Sequence, residues 1–351
     1  MSERQLLWIG GYGADDSGAA DIRRVRLDPA TGDLADGGAA ARTANPSFLA
    51  RHPHGGLLYA VNELPDGGAV TGFTVGPGDT LTETGTVPTG GGAPCHLLVH
   101  SAGRRLVVAN YQDGAVSVHP LTGTGAPAPR ERLLAGSGSG PDPERQEGPH
   151  AHSVTAAPGG RHLLVADLGA DELRRYPADP DTGAINGPGG TAACLPPGTG
   201  PRHVAVHPSG HLHIAGELDA RVHVLRWDPA SATARHVTAV AATETTGTRC
   251  HPSEVVLSPD GRRLYVANRG PDTVTVFAVE ADGAVLRRLA EVPTGGAWPR
   301  HFALVAGHLI VANQRSGTLT VLRVDERTGI PRPTGHRLDS PRPACVLPAA
   351  G

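Results

Sequence analysis

"HPSEVVLSPDGRRLYVANRGPDTVTVFAV", residues 251–279, reads as three short strands separated by two turns. SPDG and GPD are turn sequences: glycine supplies the left-handed conformation, and aspartate and serine bond to their own backbone. The flanking runs are short and rich in Val, Leu, Tyr and Thr, as strands are. The middle run, LYVA, is apolar at every position, which marks a strand covered on both faces.

The same unit recurs along the chain. A proline followed shortly by a distinctive side chain occurs at Pro46/Phe48, Pro94/His96, Pro149/His152, Pro201/His203, Pro252/Glu254, Pro299/His301 and Pro343/Cys345. The second members lie 44 to 56 residues apart, a period typical of repeat folds. After each of the first six comes a glycine turn and an apolar strand ending in a polar group, as in YAVNE, VVANY, LVADL, IAGEL, YVANR and IVANQ. After Cys345 these later strands are missing, and WIGGYG and DIRRVRL at the N-terminus supply them. The expectation is an all-β fold, a seven-bladed β-propeller closed by pairing the N- and C-terminal strands in one blade, which removes open sheet edges. It forms a single domain, 1–351. Blades begin near 45, 93, 148, 200, 251, 298 and 342, and residues 6–40 complete the last.

Composition narrows the function. Glycine (48) and proline (32) are abundant among 351 residues, yet 39% are hydrophobic and sit in spaced runs, so turns rather than disorder account for them. Lysine is absent and all 31 basic residues are arginines. A net charge of −3 with no basic stripe or tail excludes nucleic acid as the main ligand. Cys95, Cys194, Cys250 and Cys345 are widely spaced and form neither a disulfide framework nor a thiolate zinc motif. The N-terminal MSERQLLWIGGYG has no secretory pattern and no run is long enough to span a bilayer, so the expected location is cytoplasmic.

Counting places the polar columns. Phe48 and Asn62, His96 and Asn110, His203 and Glu217, and Glu254 and Asn268 are each 14 apart, with a turn glycine midway; His152/Asp167 and His301/Asn313 are 15 and 12 apart. Residues equidistant from a hairpin turn face each other with Cβ atoms roughly 5 Å apart, so these pairs are expected to ring one mouth of the channel. Asn62, Asn110, Asn268 and Asn313 suit strand ends, where they satisfy backbone groups. The residues that break the repeat are the better functional candidates. Glu217 and Asp167 stand for Asn, and Glu254 for His. Glu63, Arg269 and Gln314 add a group beside the Asn, and Arg202 and Arg300 lie in P-R-H. The Gly/Pro-rich segment Thr122 to Gln146 reads as a mobile insertion near the mouth.

"LLYAVNE" (57–63), "GPHAHSV" (148–154), "LLVADLGADEL" (163–173), "GTGPRHVAVHPSG" (198–210), the stretch quoted above and "GGAWPRHFAL" (295–304) resemble the seven-bladed propeller lactonases of the bacterial 6-phosphogluconolactonase type. The fungal carboxymuconate cyclases share this fold. The resemblance implies a channel site of one histidine, two arginines and a glutamate, which fall on His152, Arg202, Arg269 and Glu217. It also implies hydrolysis of a sugar δ-lactone, with 6-phosphogluconolactone as substrate. Glu217 or His152 is then the base, with His150 open as its alternative, and Arg202 and Arg269 hold an oxyanion or phosphate. His150, His203, Glu254, Asp167, Asn110, Glu63, Asn268, Arg300, His301 and Gln314 are the candidate substrate contacts.

Two rival readings remain at this level. One is a hydrolase of another lactone or a lactonising cycloisomerase, since an arginine fork serves a carboxylate as well as a phosphate. The other is a non-enzymatic protein-binding propeller. The His-x-His pairs 52/54, 150/152 and 211/213 lack an identifiable third ligand, so no metal and no cofactor is expected. The expected partner is a small sugar lactone, with no nucleic acid and no membrane, on a monomer or weak homo-oligomer.

Overall fold

The computed structural model describes residues 4–13 and 19–349. Strands β1 (Gln5–Gly11), β2 (Ala19–Leu27) and β3 (Leu34–Ala44) open the chain. The second sheet holds β4 (Leu49–Arg51), β5 (Leu57–Asn62), β6 (Ala69–Val75) and β7 (Leu81–Pro88). The third holds β8 (Pro94–Val99), β9 (Arg105–Asn110), β10 (Val116–Pro120) and β11 (Arg132–Leu134). Next come β12 (Ala151–Ala156), β13 (His162–Asp167), β14 (Glu172–Pro177) and β15 (Gly190–Cys194). They are followed by β16 (Pro201–Val206), β17 (His211–Gly216), β18 (Arg221–Asp228) and β19 (Thr233–Ala241). The quoted repeat becomes β20 (His251–Leu257), β21 (Arg263–Arg269) and β22 (Thr273–Glu280), with β23 (Val285–Pro293) outside them. The last complete set is β24 (Pro299–Val305), β25 (His308–Asn313), β26 (Thr318–Val324) and β27 (Pro331–Asp339), before β28 (Pro343–Pro348).

These form seven four-stranded antiparallel sheets, and β28 enters the first, in the order β28-β1-β2-β3. The molecule is a seven-bladed β-propeller whose ring is closed by its two ends. β1 also meets the entry of the next blade closely: a Cβ on Gly10 would meet Pro46 O at 2.2 Å. Among the described residues no helix is long and apolar enough to cross a membrane.

The all-apolar second strands have a simple cause. In β13, Leu163 and Val165 pack with Val107 and Ala109 of the preceding blade. Leu164 and Ala166 pack with Leu212 and Ile214 of the following one. Each blade is thus covered on both faces, and the core is a ring of inter-blade seams. Each fully buried Leu, Val or Ile contributes about 1.5–3 kcal/mol.

The facing pairs do not form as counted. His96 lies opposite Ala109, Ser153 opposite Ala166, and His301 opposite Ala312, while Pro94, Pro252 and Pro299 lie opposite Asn110, Asn268 and Asn313. In every blade but the one opened by β4, a bulge at the strand entry adds one residue on the inner strand. In most blades the turn is also centred between residues rather than on the glycine. A one-residue slip moves a side chain to the other face of the sheet. The Asn side chains therefore point into the seams. Asn268 Nδ2 donates to Ala242 O (3.1 Å) of the neighbouring blade, and Asn62 Nδ2 to Ala44 O (2.7 Å).

Segment 122–146 also departs from expectation. Gln146 is fully buried, its Nε2 donates to Leu168 O (2.9 Å), and Gly140 N–H donates to Gln146 O (2.9 Å). These bonds tie the loop down at the mouth and fix the direction of Arg145.

Candidate active site

Two columns of side chains converge at one mouth of the channel. One is the residue following the polar strand end: Glu63, Tyr111, Leu168, Glu217, Arg269 and Gln314. Because Gly216 pairs with Pro201, it is Gly216 that takes the Asn position in its blade, and Glu217 belongs to the wall column. The other is the residue after the repeat proline, including Cys95, Arg202 and Arg300. Together with His152, His251, Trp298, Arg145 and Arg315, most of these enclose a pocket of about 450 Å³. Trp298 is held in the left-handed region (φ 63°), and its backbone N–H donates to Asp272 Oδ1 (2.8 Å). This turns the indole toward the pocket, where the Arg315 guanidinium sits 3.4 Å from the ring centre.

Glu217 is the electrostatic centre. Its Oε2 is ion-paired with Arg269 Nη2 at 2.6 Å, and its Oε1 accepts from Arg145 Nη2 at 2.8 Å. Arg202 Nε lies 3.1 Å from Oε2, off the hydrogen-bonding line, so that contact is ionic. Burial alone would raise the Glu217 pKa, but Arg269, Arg202 and Arg145 override it and hold the carboxyl well below its ordinary range. Burial and Arg269 bring Arg202 down to about 9. Burial, then Arg202 and His203, hold His152 well below the ordinary imidazole value, so its ring is neutral. Arg145 also donates to Tyr111 Oη (3.1 Å). At the rim Glu63 accepts from Tyr12 Oη (2.9 Å) and lies 3.9 Å from Arg300. Among the described residues the wall thus carries four guanidinium groups against two carboxylates.

Beneath the pocket the inner strands meet in a waist. Phe48 stacks on His96 at 4.2 Å, and His203 meets both His96 (5.3 Å) and His152 (5.4 Å) edge to face. Glu254 Oε2 accepts from His203 Nδ1 (2.8 Å) and lies 3.2 Å from His301 Nε2. Beyond the waist is a second cavity of about 380 Å³, lined in part by Phe48, His96, His203 and Glu254.

The family described as lactonase, 7-bladed beta-propeller, matches residues 6–348. The chain belongs to the seven-bladed β-propeller lactonase family. A 6-phosphogluconolactonase of Bacillus subtilis (strain 168) is 30% identical over 345 residues, covering 97% of both chains. A 6-phosphogluconolactonase of Formosa agariphila is 28% identical, covering 81% of this chain and 83% of that one. The solved structure of a Pseudomonas aeruginosa periplasmic gluconolactonase superposes with a TM-score of 0.90 at 29% identity, covering 99% of both chains.

Of the residues expected in this lactonase site, His152, Glu217, Arg269, Glu63, Arg300 and Gln314 line the pocket. His203, Glu254 and His301 lie one layer lower, in the waist. Arg202 is 2% exposed and stands behind Glu217 rather than on the wall. His150 stacks beneath Tyr111 at 4.5 Å, with Nδ1 against Tyr111 O (2.7 Å), so it supports the wall from behind. Asp167 is fully buried, accepts from the His150 backbone N–H (2.7 Å) and lies 3.3 Å from Arg174. Asn110 and Asn268 are turned away into the seams. Sequence reasoning missed Tyr111, Arg145, His251, Trp298 and Arg315. Tyr111 follows Asn110 as Glu63 follows Asn62 and Arg269 follows Asn268, so the repeat itself carried the signal for it. Arg145 sits in a loop outside the repeat and left no periodic signal. Among the described residues no group of three or more His, Cys, Asp or Glu side chains is placed to hold a metal ion.

Proposed function

We propose that this lactonase hydrolyses a phosphorylated sugar δ-lactone, 6-phospho-D-glucono-1,5-lactone, to 6-phospho-D-gluconate. The observation that carries this is the wall itself: a neutral imidazole beside four arginines and two carboxylates. Arginine forks match phosphate oxygens two at a time. The net positive wall thus favours a substrate with an anionic end, and the relatives named 6-phosphogluconolactonase agree with that choice.

The chemistry follows from the pairing. Water attacks the lactone carbonyl and His152, held neutral, accepts its proton. Arg269 donates to the oxyanion as it forms. The tetrahedral intermediate collapses with cleavage of the ring C–O bond, and His152 returns the proton to the departing ring oxygen. Glu217 is a poor base, because three guanidinium groups hold it ionised; its work is to aim Arg269, Arg202 and Arg145. Arg300, Arg145 and Arg315 are left to hold the phosphate.

The test compares freshly made 6-phosphogluconolactone with unphosphorylated glucono-1,5-lactone, the spontaneous hydrolysis being subtracted. The expected result is a kcat/KM at least about tenfold higher for the phosphorylated lactone, about 1.4 kcal/mol of added transition-state binding. Equal values would remove the phosphate from the reading, and the P. aeruginosa relative's name, gluconolactonase, then becomes the better guide.

A further inference from the structure

The waist holds a chain of titratable groups that the reaction above leaves unused. Glu254 and His203 are 8% and 6% exposed, and Glu254 Oε2 lies 2.8 Å from His203 Nδ1. Burial raises the Glu254 carboxyl above its ordinary value, while His301 and Arg202 oppose the shift; in its ionised form it only accepts, and so draws the proton of a neutral imidazole to the nitrogen it faces. His203 is thereby fixed with its proton on Nδ1 and a lone pair on Nε2. Among the described residues that Nε2 is buried with no hydrogen-bond partner, and so is His152 Nδ1. The two rings are 5.4 Å apart and inclined at 66°. A buried donor or acceptor left unpaired costs about 1–3 kcal/mol, and this acceptor has an unpaired imidazole nitrogen as its neighbour.

We propose that Glu254 and His203 are positioning residues that set the tautomer of His152, drawing its proton to Nδ1 through one bridging water, so that the Nε2 lone pair serves the reaction. Glu254 thus acts on the pocket through His203, and His301, 3.2 Å from the same carboxylate oxygen, steadies the far end of the chain. Arg202 Nη1 is also buried without a partner among the described residues. It can only donate, so an Arg202–His152 contact would demand the opposite tautomer, with the proton on Nε2. The proposal rests on the reading of His152 as the base.

The first test is spectroscopic and reads the unaltered protein. Long-range proton–nitrogen spectra of the full-length protein report which nitrogen of His152 carries the proton, the signal being assigned by its loss in His152→Ala. A proton on Nδ1 supports the proposal, and a proton on Nε2 overturns it. The second test is kinetic. His203→Phe keeps a ring against Phe48 and His96 while removing both nitrogens. Its kcat on the lactone is expected to fall about 10- to 100-fold, a share of the 10²–10⁴ that a general base supplies, with KM within about twofold. Glu254→Gln, closer in shape, is expected to show a smaller loss in the same direction and covers the case in which His203→Phe does not fold. An unchanged kcat in both variants overturns the proposal. His152→Ala, assayed beside them, separates the two claims. If it is inactive while the waist variants are not, only the positioning chain fails. If it keeps its rate, the base reading fails first.

Discussion

Replacing Glu217 by glutamine changes almost nothing in shape and removes the one charge that three arginines share. The Glu217 side chain is 4% exposed, and those of Arg269, Arg202 and Arg145 are 5%, 3% and 32%. At an effective dielectric near 20, each close guanidinium–carboxylate pair is worth about 4 kcal/mol before desolvation. The net cost of leaving a buried partner uncompensated is about 3–5 kcal/mol. Arg145 is exposed enough to rehydrate, and adds at most about 1 kcal/mol. The expected loss is therefore about 3–5 kcal/mol, seen as a lower urea midpoint at unchanged m-value. In a chain of 351 residues it corresponds to a fall in Tm of roughly 4–7 °C. Arg269→Met added to Glu217→Gln removes one of the guanidinium groups left repelling its neighbours, and should restore part of the loss. The pH dependence gives an independent sign. The folded pKa of Glu217 is held below its unfolded value, so its contribution is fully present above about pH 4.3 and is lost as pH falls through the folded value. Wild type and variant should converge in stability only at strongly acid pH. A loss below about 1 kcal/mol, or no convergence in acid, would refute the account of Glu217 as the ionic hub.

Three further outcomes are expected. The kcat/KM profile should stay flat through pH 6.5 and fall only well below it, since burial and Arg202 keep the His152 ring neutral there; an acid limb at 6.5 would point to an exposed base instead. Arg315→Ala, at the exposed rim over Trp298, should raise KM for the phosphorylated lactone about 3- to 10-fold while leaving that for gluconolactone unchanged, and its effect should shrink as salt is raised. Deleting residues 342–351 removes β28 and uncovers the edge of β1 that pairs with it from Leu7 to Gly11, so the product should aggregate or lose cooperative unfolding in a thermal melt.

By itself the sequence determined the architecture. Seven proline-led units, apolar second strands and a C-terminal unit lacking its later strands allow little else, because a strand buried on both faces needs a blade on each side and a ring leaves no end unpaired. It also pointed to Glu217, Arg269, Glu63, Arg300 and Gln314, since residues that break a repeat stand out against it. Tertiary structure decided the register and the site. A bulge at the strand entry of every blade but the one opened by β4 slipped the polar columns by one residue, which sent Asn110 and Asn268 into the seams and set Tyr111 and Glu217 on the wall. Counting from a turn cannot detect a bulge, because it is fixed by how neighbouring blades crowd the channel. Arg145 and Arg315 come from segments outside the repeated columns, and they reach the pocket only because the ring brings distant parts of the chain to one mouth. The same convergence places Glu254 behind His203 and His203 behind His152, an arrangement separated by about fifty residues at each step and invisible in any one blade.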